Sequence, residues 1–445
     1  MLSAISRVFE KVNLFILSLL IATVFGTQVF ADFAVSMSYA LIIYSIVEVG
    51  GQQLFTYFNR DVSEISSNNL NILKTLLFIV SFPIIFISPL WQLTCLLSFA
   101  YLFESLNNSM RFQMFNEGKY KKEALIYLVE RVVLFIAIIT LYTGWMFSFN
   151  LGYVIEDIFL FFVLLKSISF ALYYYFTRNR TDGRNTKIDF ELFIHFLVKG
   201  KYFIISAFVA SLFMQVDILI FSWLGGSDNE IALVSAFIRL VTATFFVSTV
   251  FQQFILPKFH LLISNYDCFF VYEKHVRFFA FFLTLALIFL SEVYLFIFFG
   301  DKEIGEQFYS QSSVIILLMV FSRFCRDPIS LYLGQSEKNK VKVKILSYLL
   351  PIKVISVCLI YKLGGVTAAI SAIVFFDALV YLLFRYVTNF ITLDKGYTVG
   401  VFLLISSIFV VEYIPLEIRA GLAALSLIIA LTFFIKVTKP EALFS

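Results

Sequence analysis

The sequence predicts an all-α polytopic membrane protein with about fourteen transmembrane helices. Three observations carry that expectation. The 445 residues are 60% hydrophobic and 14% charged, with a mean hydropathy of +0.91, too apolar for a soluble domain of this size. The apolar residues gather into runs mostly of about 18–25 residues, enough to cross ~30 Å of hydrocarbon at 1.5 Å per residue. The basic residues collect on one side of those runs.

In chain order the runs are about 12–31, 34–57, 72–89, 92–114, 124–143, 153–176, 200–224, 231–256, 277–299, 312–334, 344–362, 365–387, 398–415 and 417–436. Val29-Phe30-Ala31 resembles a signal-peptidase site. The run before it exceeds a signal core and the next begins almost at once, so the first run is read as a retained span. With both termini in the cytoplasm, about 24 of the 34 Lys and Arg residues fall inside, about three outside and about seven within spans, a strong positive-inside asymmetry. The inner groups include Lys119–Lys122, Arg178 to Lys201, Lys258 to Arg277 and Lys338–Lys344.

The loops exclude several functions. The longest non-spanning stretch is the basic segment 177–199, and the outer loops are short. A membrane glycosyltransferase or polymerase usually needs a sizeable outer loop for its second substrate. No GxxxxGK[ST] phosphate loop is present, which argues against a built-in ATP motor. Cys95, Cys268, Cys325 and Cys358 have no metal or disulfide spacing, and His195, His260 and His275 all lie on the cytoplasmic side. No metal, cofactor or nucleic-acid partner is expected.

A repeat organises the chain. Phe25-Gly26, a turn and a span ending Gly51-Gln52-Gln53 are echoed 200 residues later by Leu224-Gly225-Gly226, a turn and a span ending Phe251-Gln252-Gln253. A weaker echo links Asn116-Glu117-Gly118-Lys119 with Gln335-Ser336-Glu337-Lys338. The expected division is an N-lobe at 1–176 (spans 1–6), a cytoplasmic basic linker at 177–199, a C-lobe at 200–390 (spans 7–12) and two added spans at 391–445. Two like-oriented six-helix lobes would be related by a pseudo-two-fold axis along the membrane normal, with a cavity between them.

Charges stranded in the apolar runs mark the candidate site, because each costs ~2.5–3.5 kcal/mol at mid-membrane unless paired or hydrated. Span 2 carries Ser38, Ser45, Glu48 and Gln52 on one helical face, and span 8 carries Ser235, Arg239, Thr242, Thr249 and Gln253 on another. Such hydroxyls also serve as ordinary helix–helix hydrogen bonds. Arg239 has no carboxylate three or four residues away on its own helix. Glu104 and Arg111 share a face of span 4, and Glu130 and Arg131 lie on span 5, as a cavity wall or a charge-paired network. In span 10, Arg323 and Asp327 are spaced to pair within the helix, Arg326 lies one turn from Arg323, and Pro328 invites a kink. Glu48, Asp217 and Asp377 are candidate coupling sites, since an isolated buried carboxylate can trade protons. Pairing to a base such as Lys166 or Lys353 is the plainer alternative. The guanidinium fork suits phosphate, so the arginines favour an anionic substrate over an organic cation.

The stretch Phe25-Gly26 through Gln53 to Asn59-Arg60, the run ESLNNSMRFQMFNEGK at Glu104–Lys119, and QVDILIFSWLGG at Gln215–Gly226 with the span ending Leu256-Pro257-Lys258 resemble polysaccharide flippases of the multidrug/oligosaccharidyl-lipid/polysaccharide exporter superfamily. The resemblance covers about residues 5–390. It implies two lobes around a cavity and movement of undecaprenyl-pyrophosphate-linked sugar units across the bacterial inner membrane by alternating access. Cationic cavity residues would hold the pyrophosphate or acidic sugars. Arg239 lies where related lipid II flippases carry a functional arginine. The chain lacks their basic residue within span 1, which favours a capsule or O-antigen-type oligosaccharide, as in lipopolysaccharide assembly. Membrane lipids, a polysaccharide polymerase and a chain-length regulator are the implied partners. On this reading Arg239, Arg323, Arg326, Arg111, Arg131, Gln52 and Gln253 hold substrate, and Glu48, Asp217 and Asp377 couple transport. A cation-coupled drug antiporter of the same superfamily is the alternative, and a membrane enzyme of glycan assembly is a third class.

Overall fold

The computed structural model describes residues 2–48, 67–116, 118–146, 155–178, 190–255, 266–299, 314–335, 338–388, 395–411 and 413–438. Its regular elements are all helical among these residues. In order they are α1 (Leu2–Val47), α2 (Ser67–Ser81), α3 (Trp91–Asn116), α4 (Tyr120–Met146), α5 (Ile155–Arg178), α6 (Phe190–Trp223), α7 (Asp228–Ile255), α8 (Tyr266–Phe289), α9 (Ser291–Phe299), α10 (Leu318–Gln335), α11 (Asn339–Val387), α12 (Lys395–Val411) and α13 (Leu416–Thr438). Short 3₁₀ turns at Phe82–Ile87 and Ile315–Leu317 extend α2 and lead into α10. Pro83 in the first of these lacks the N–H that an α-helical ladder needs.

The fold is that of a multi-pass membrane protein. The stretches Asn13–Val47, Leu70–Ile87, Glu156–Thr177, Gly200–Trp223, Asn339–Val387 and Leu416–Val437 are long and apolar enough to cross a membrane. Two of them exceed one crossing. The 49 residues of α11 would run ~74 Å as a straight helix, more than twice the hydrocarbon thickness. Both are broken at a glycine: Gly26 in α1 has φ +85° and Gly365 in α11 has φ +71°. This combination of positive φ with extended ψ is essentially open to glycine alone and costs an L side chain ~1–3 kcal/mol, so glycine is the residue that permits the kink. The first break corrects the expected boundary, which placed span 1 at 12–31. Thr27 and Gln28 interrupt the apolar run just after Gly26, and apolar residues resume at Val29. The second break falls where spans 11 and 12 were expected to part.

Two further boundaries differ from expectation. Helix α6 starts at Phe190 rather than near residue 200, taking up part of the basic connection. The ninth span is broken into α8 and α9, which meet at 57°. Ser291 Oγ donates to the Ile288 carbonyl at 2.7 Å there, the kind of local side-chain bond that competes with the helix ladder and bends it.

The chain divides into two compact units, Met1–Trp223 and Leu224–Ser445. In the first, α1 packs against α3, α4 and α6, and α3 lies along α5. In the second, α8 packs against α10, α12 and α13, and α10 packs against α7 and α11. Leu404 and Ile408 bury the inner stripe of α12, while Phe402 and Phe409 point outward. Large apolar side chains on an outer face are what a lipid solvent requires.

Candidate functional site

In the first unit the intramembrane charges close into a network. Arg131 Nη2 donates to both oxygens of Glu104, at 3.0 and 3.1 Å. Lys166, fully buried on α5, pairs with Glu104 and Glu130. Arg111 Nε donates to Glu123 at 2.6 Å, and its guanidinium lies 3.6 Å from the centre of the Tyr127 ring. The Arg131 guanidinium sits over the same ring at 4.6 Å, so one tyrosine spaces two cations. At the C-terminal end of α1, Lys74 donates to Glu48 at 3.1 Å, and Asn108 Nδ2 donates to the same carboxylate at 3.4 Å. Asn13 Nδ2 ties α1 to α4 through the Arg131 carbonyl at 2.9 Å. Glu48, Glu104, Glu123 and Glu130 thus meet Lys74, Arg111, Arg131 and Lys166, four charges of each sign.

Of the two readings of Glu48, coupling site or paired carboxylate, this arrangement favours the pair, because Lys74 on α2 reaches it. It also favours the charge-paired network over a cavity wall for spans 4 and 5, and extends that network to α5. A neutral, mutually bonded set such as this holds helices in register.

The second unit is different. Arg323 Nε donates to Asp377 Oδ2 at 2.8 Å, and Arg326 Nη1 donates to Asp377 Oδ1 at 3.3 Å. Two guanidiniums on α10 share one carboxylate on α11. The expected Arg323–Asp327 pair within α10 does not form; Asp327 instead accepts from Ser248 Oγ on α7. Asp377 is likewise not isolated. Lys342 lies within electrostatic reach of Arg326 and Asp327, and Lys353 of Asp377. Arg323, Arg326, Lys342 and Lys353 stand against Asp327 and Asp377, which leaves two positive charges in excess among the described residues of this group. Arg323 is 1% exposed. Its Nη1 and Nη2 atoms are buried with no hydrogen-bond partner among the described residues. Each such buried donor costs ~1–3 kcal/mol or more when charged, a debt that an anion's oxygens would cancel. Pro328 lies one turn beyond Arg323 inside α10 and removes a backbone donor there.

Other expected residues are placed as follows. Arg239 is buried on α7, within electrostatic reach of Tyr294. Asp217 is fully buried on α6. Gln52 and the side chain of Gln253 lie outside the described residues. Sequence reasoning missed Lys74 and Lys342, and it missed the buried group in which Arg385 pairs with Glu273 and Arg277 approaches the same carboxylate at 3.4 Å. Lys342 stands in a run of lysines that reads as a solvated cytoplasmic loop. Its spacing of three from Asn339, which puts both on one helical face, was the available signal.

No protein-family model matches the chain, and no curated protein matches it. Solved structures do. The lipid II flippase MurJ in an inward closed conformation aligns with a TM-score of 0.61 at 13% identity, covering 97% of this chain and 96% of that one. A multidrug resistance MATE family transporter of the MOP superfamily aligns in its inward-facing conformation with a TM-score of 0.56 at 12% identity, covering 90% and 95%. An outward-facing conformation of a MATE family transporter gives 0.51 at 12% identity, covering 92% and 95%. The chain therefore has the fold of MOP superfamily transporters.

Proposed function

We propose that the chain is a flippase that moves undecaprenyl-pyrophosphate-linked oligosaccharide units across the bacterial inner membrane for surface polysaccharide assembly, such as O-antigen or capsule. Both termini are cytoplasmic on this reading, and a polymerase and a chain-length regulator receive the product. The division into lobes at 1–176 and 200–390, with 391–445 appended, belongs to the same proposal. The observation that carries it is the cationic excess at Arg323, Arg326 and Lys342 among apolar helices. Two unit charges 4 Å apart interact by ~4 kcal/mol at an effective dielectric of 20, so a pyrophosphate is attracted there and an organic cation repelled. The first unit's charges are neutralised internally, so Arg111 and Arg131 hold helices together while Arg323 and Arg326, with Arg239, face substrate. The fold shared with MATE transporters keeps a cation-coupled drug antiporter as the second reading, and the charge sign in the second unit weighs against it.

Reconstitution in liposomes tests the choice. The wild-type protein translocates a fluorescent lipid-linked oligosaccharide, and Arg326→Gln slows this at least about tenfold, the loss of one charge-assisted bond to phosphate. Export of organic cations with no movement of the lipid-linked sugar would replace the flippase with the antiporter.

A further inference from the structure

Beyond the shared carboxylate at Asp377, the second unit holds another buried polar group, the amide of Asn339. Asn339 opens α11 and is 5% exposed. Both Oδ1 and Nδ2 of its amide are buried with no hydrogen-bond partner among the described residues. Lys342 lies one turn further on the same helical face and is itself buried. Lys342 is in turn within electrostatic reach of Arg326 and Asp327 on α10. Lys338, just before α11, lies 6.0 Å from the centre of the Tyr332 ring and ties the start of α11 to the end of α10.

These groups stand at graded depth. Residues 336–338 alone separate α10 from α11, so the end of one and the start of the other share a membrane face. Lys342 is ~4.5 Å along α11 from that face, Arg326 ~13.5 Å along α10, and Arg323 ~18 Å. Three cations therefore lead inward from the basic side, with an unsatisfied amide at the outermost step.

We propose that Asn339 and Lys342 form the docking subsite for the junction between a pyrophosphate and its first sugar, from which the phosphate passes to Arg326 and Arg323. Lys342 supplies charge without a fixed fork, which suits a first and reversible contact. Asn339 Nδ2 donates to a phosphate oxygen, and Oδ1 accepts from a sugar hydroxyl, so both halves of the amide are used. A bare phosphate leaves Oδ1 without a donor. The subsite therefore recognises the sugar-bearing pyrophosphate in preference to a simple anionic lipid. This inference rests on the flippase reading and refines it.

Binding to the purified full chain in nanodiscs tests it with three probes: a lipid-linked pyrophosphate oligosaccharide, the same lipid as a monophosphate without sugar, and phosphatidic acid, whose headgroup carries no sugar-like hydroxyl. Lys342→Gln weakens binding of the first probe by about tenfold or more, and Lys342→Arg stays within about threefold of wild type. Asn339→Asp keeps the shape of the side chain, sets a negative charge against the phosphate, and weakens the same probe by about tenfold or more. Folded Lys342→Gln and Asn339→Asp proteins that bind as well as wild type would overturn the subsite. Should Lys342→Gln not fold, Asn339→Asp alone decides. Equal competition by phosphatidic acid would also overturn it, since the ligand would then be any anionic lipid. Wild-type protein that binds none of the pyrophosphate probe sinks the flippase reading itself, a separate result.

Discussion

Asp377 is the carboxylate on which two buried arginines depend. Replacing it by Asn removes the counter-charge while leaving Arg323 and Arg326 in place. An uncompensated buried charge costs ~3–5 kcal/mol, so Asp377→Asn lowers unfolding stability in mixed micelles by about that amount. Arg326→Gln behaves in the opposite way. Asp377 keeps Arg323, the cationic excess falls by one, and stability falls by much less than for Asp377→Asn, because no buried charge is left without a counter-charge, while substrate binding is lost. A common fall in stability for both variants would show that Arg326 is merely structural. The first unit gives the contrast. Lys166→Met leaves Glu104 and Glu130 to share Arg131, one counter-charge short, and denaturation should register a loss of ~3–5 kcal/mol with no change in substrate affinity of the protein that folds. The sequence made the arginines of this level visible, since a guanidinium in an apolar run stands out by composition alone. It did not reveal their partners. Arg323 and Asp327 have ideal helical spacing, yet the packing of α10 on α11 brings Asp377 nearer, and Ser248 from α7 takes Asp327.

At the level of elements, hydropathy located the spans but not all of their ends. The apolar run from Leu14 gives way only at Gly26-Thr27-Gln28 and resumes at Val29, a gap too short to end a hydropathy window, so the position of the kink rested on the glycine and the two polar residues after it. A Cβ at Gly26 or Gly365 meets no atom within 4 Å. The cost of alanine at either is therefore backbone strain alone. Gly26→Ala and Gly365→Ala should each lose ~1–3 kcal/mol in the same unfolding assay, and the two should add, because the sites belong to different units. Gly400 on α12 is a different case. A Cβ there would stand 2.9 Å from the buried ring of Phe321, which also stacks on Tyr397. Tyr397 in turn shares a hydrogen bond with Ser322, next to Arg323. Overpacking costs ~1–3 kcal/mol. Gly400→Leu should therefore shift α10 as well as destabilise α12, read as a loss of substrate affinity larger than that of Gly400→Ala. Nothing in the sequence distinguishes Gly400 from the other glycines of the apolar runs, because a close approach is a property of the packed pair.

For the whole molecule, function depends on which side of the membrane meets the basic end of α10 and α11. On the flippase reading, a pyrophosphate-linked sugar assembled in the cytoplasm meets Lys342 first, so the connection at 336–338 is expected in the cytoplasm. The distribution of Lys and Arg over the rest of the chain leads to the same expectation. The turn at Gly225, φ +72°, one crossing of α7 away, is then expected outside. Single cysteines test this after removal of the four native ones at Cys95, Cys268, Cys325 and Cys358, none of which forms a disulfide. A membrane-impermeant maleimide applied to intact cells should label Ser227→Cys, in the turn before α7. Lys340→Cys, exposed at the start of α11, should react only after the inner membrane is opened. The reverse pattern would put Lys342 and Asn339 on the outer face, where a flippase discharges its cargo. The charged ladder on α10 would then run from exit to interior, and a substrate loaded from the cytoplasm would meet Arg323 before Lys342.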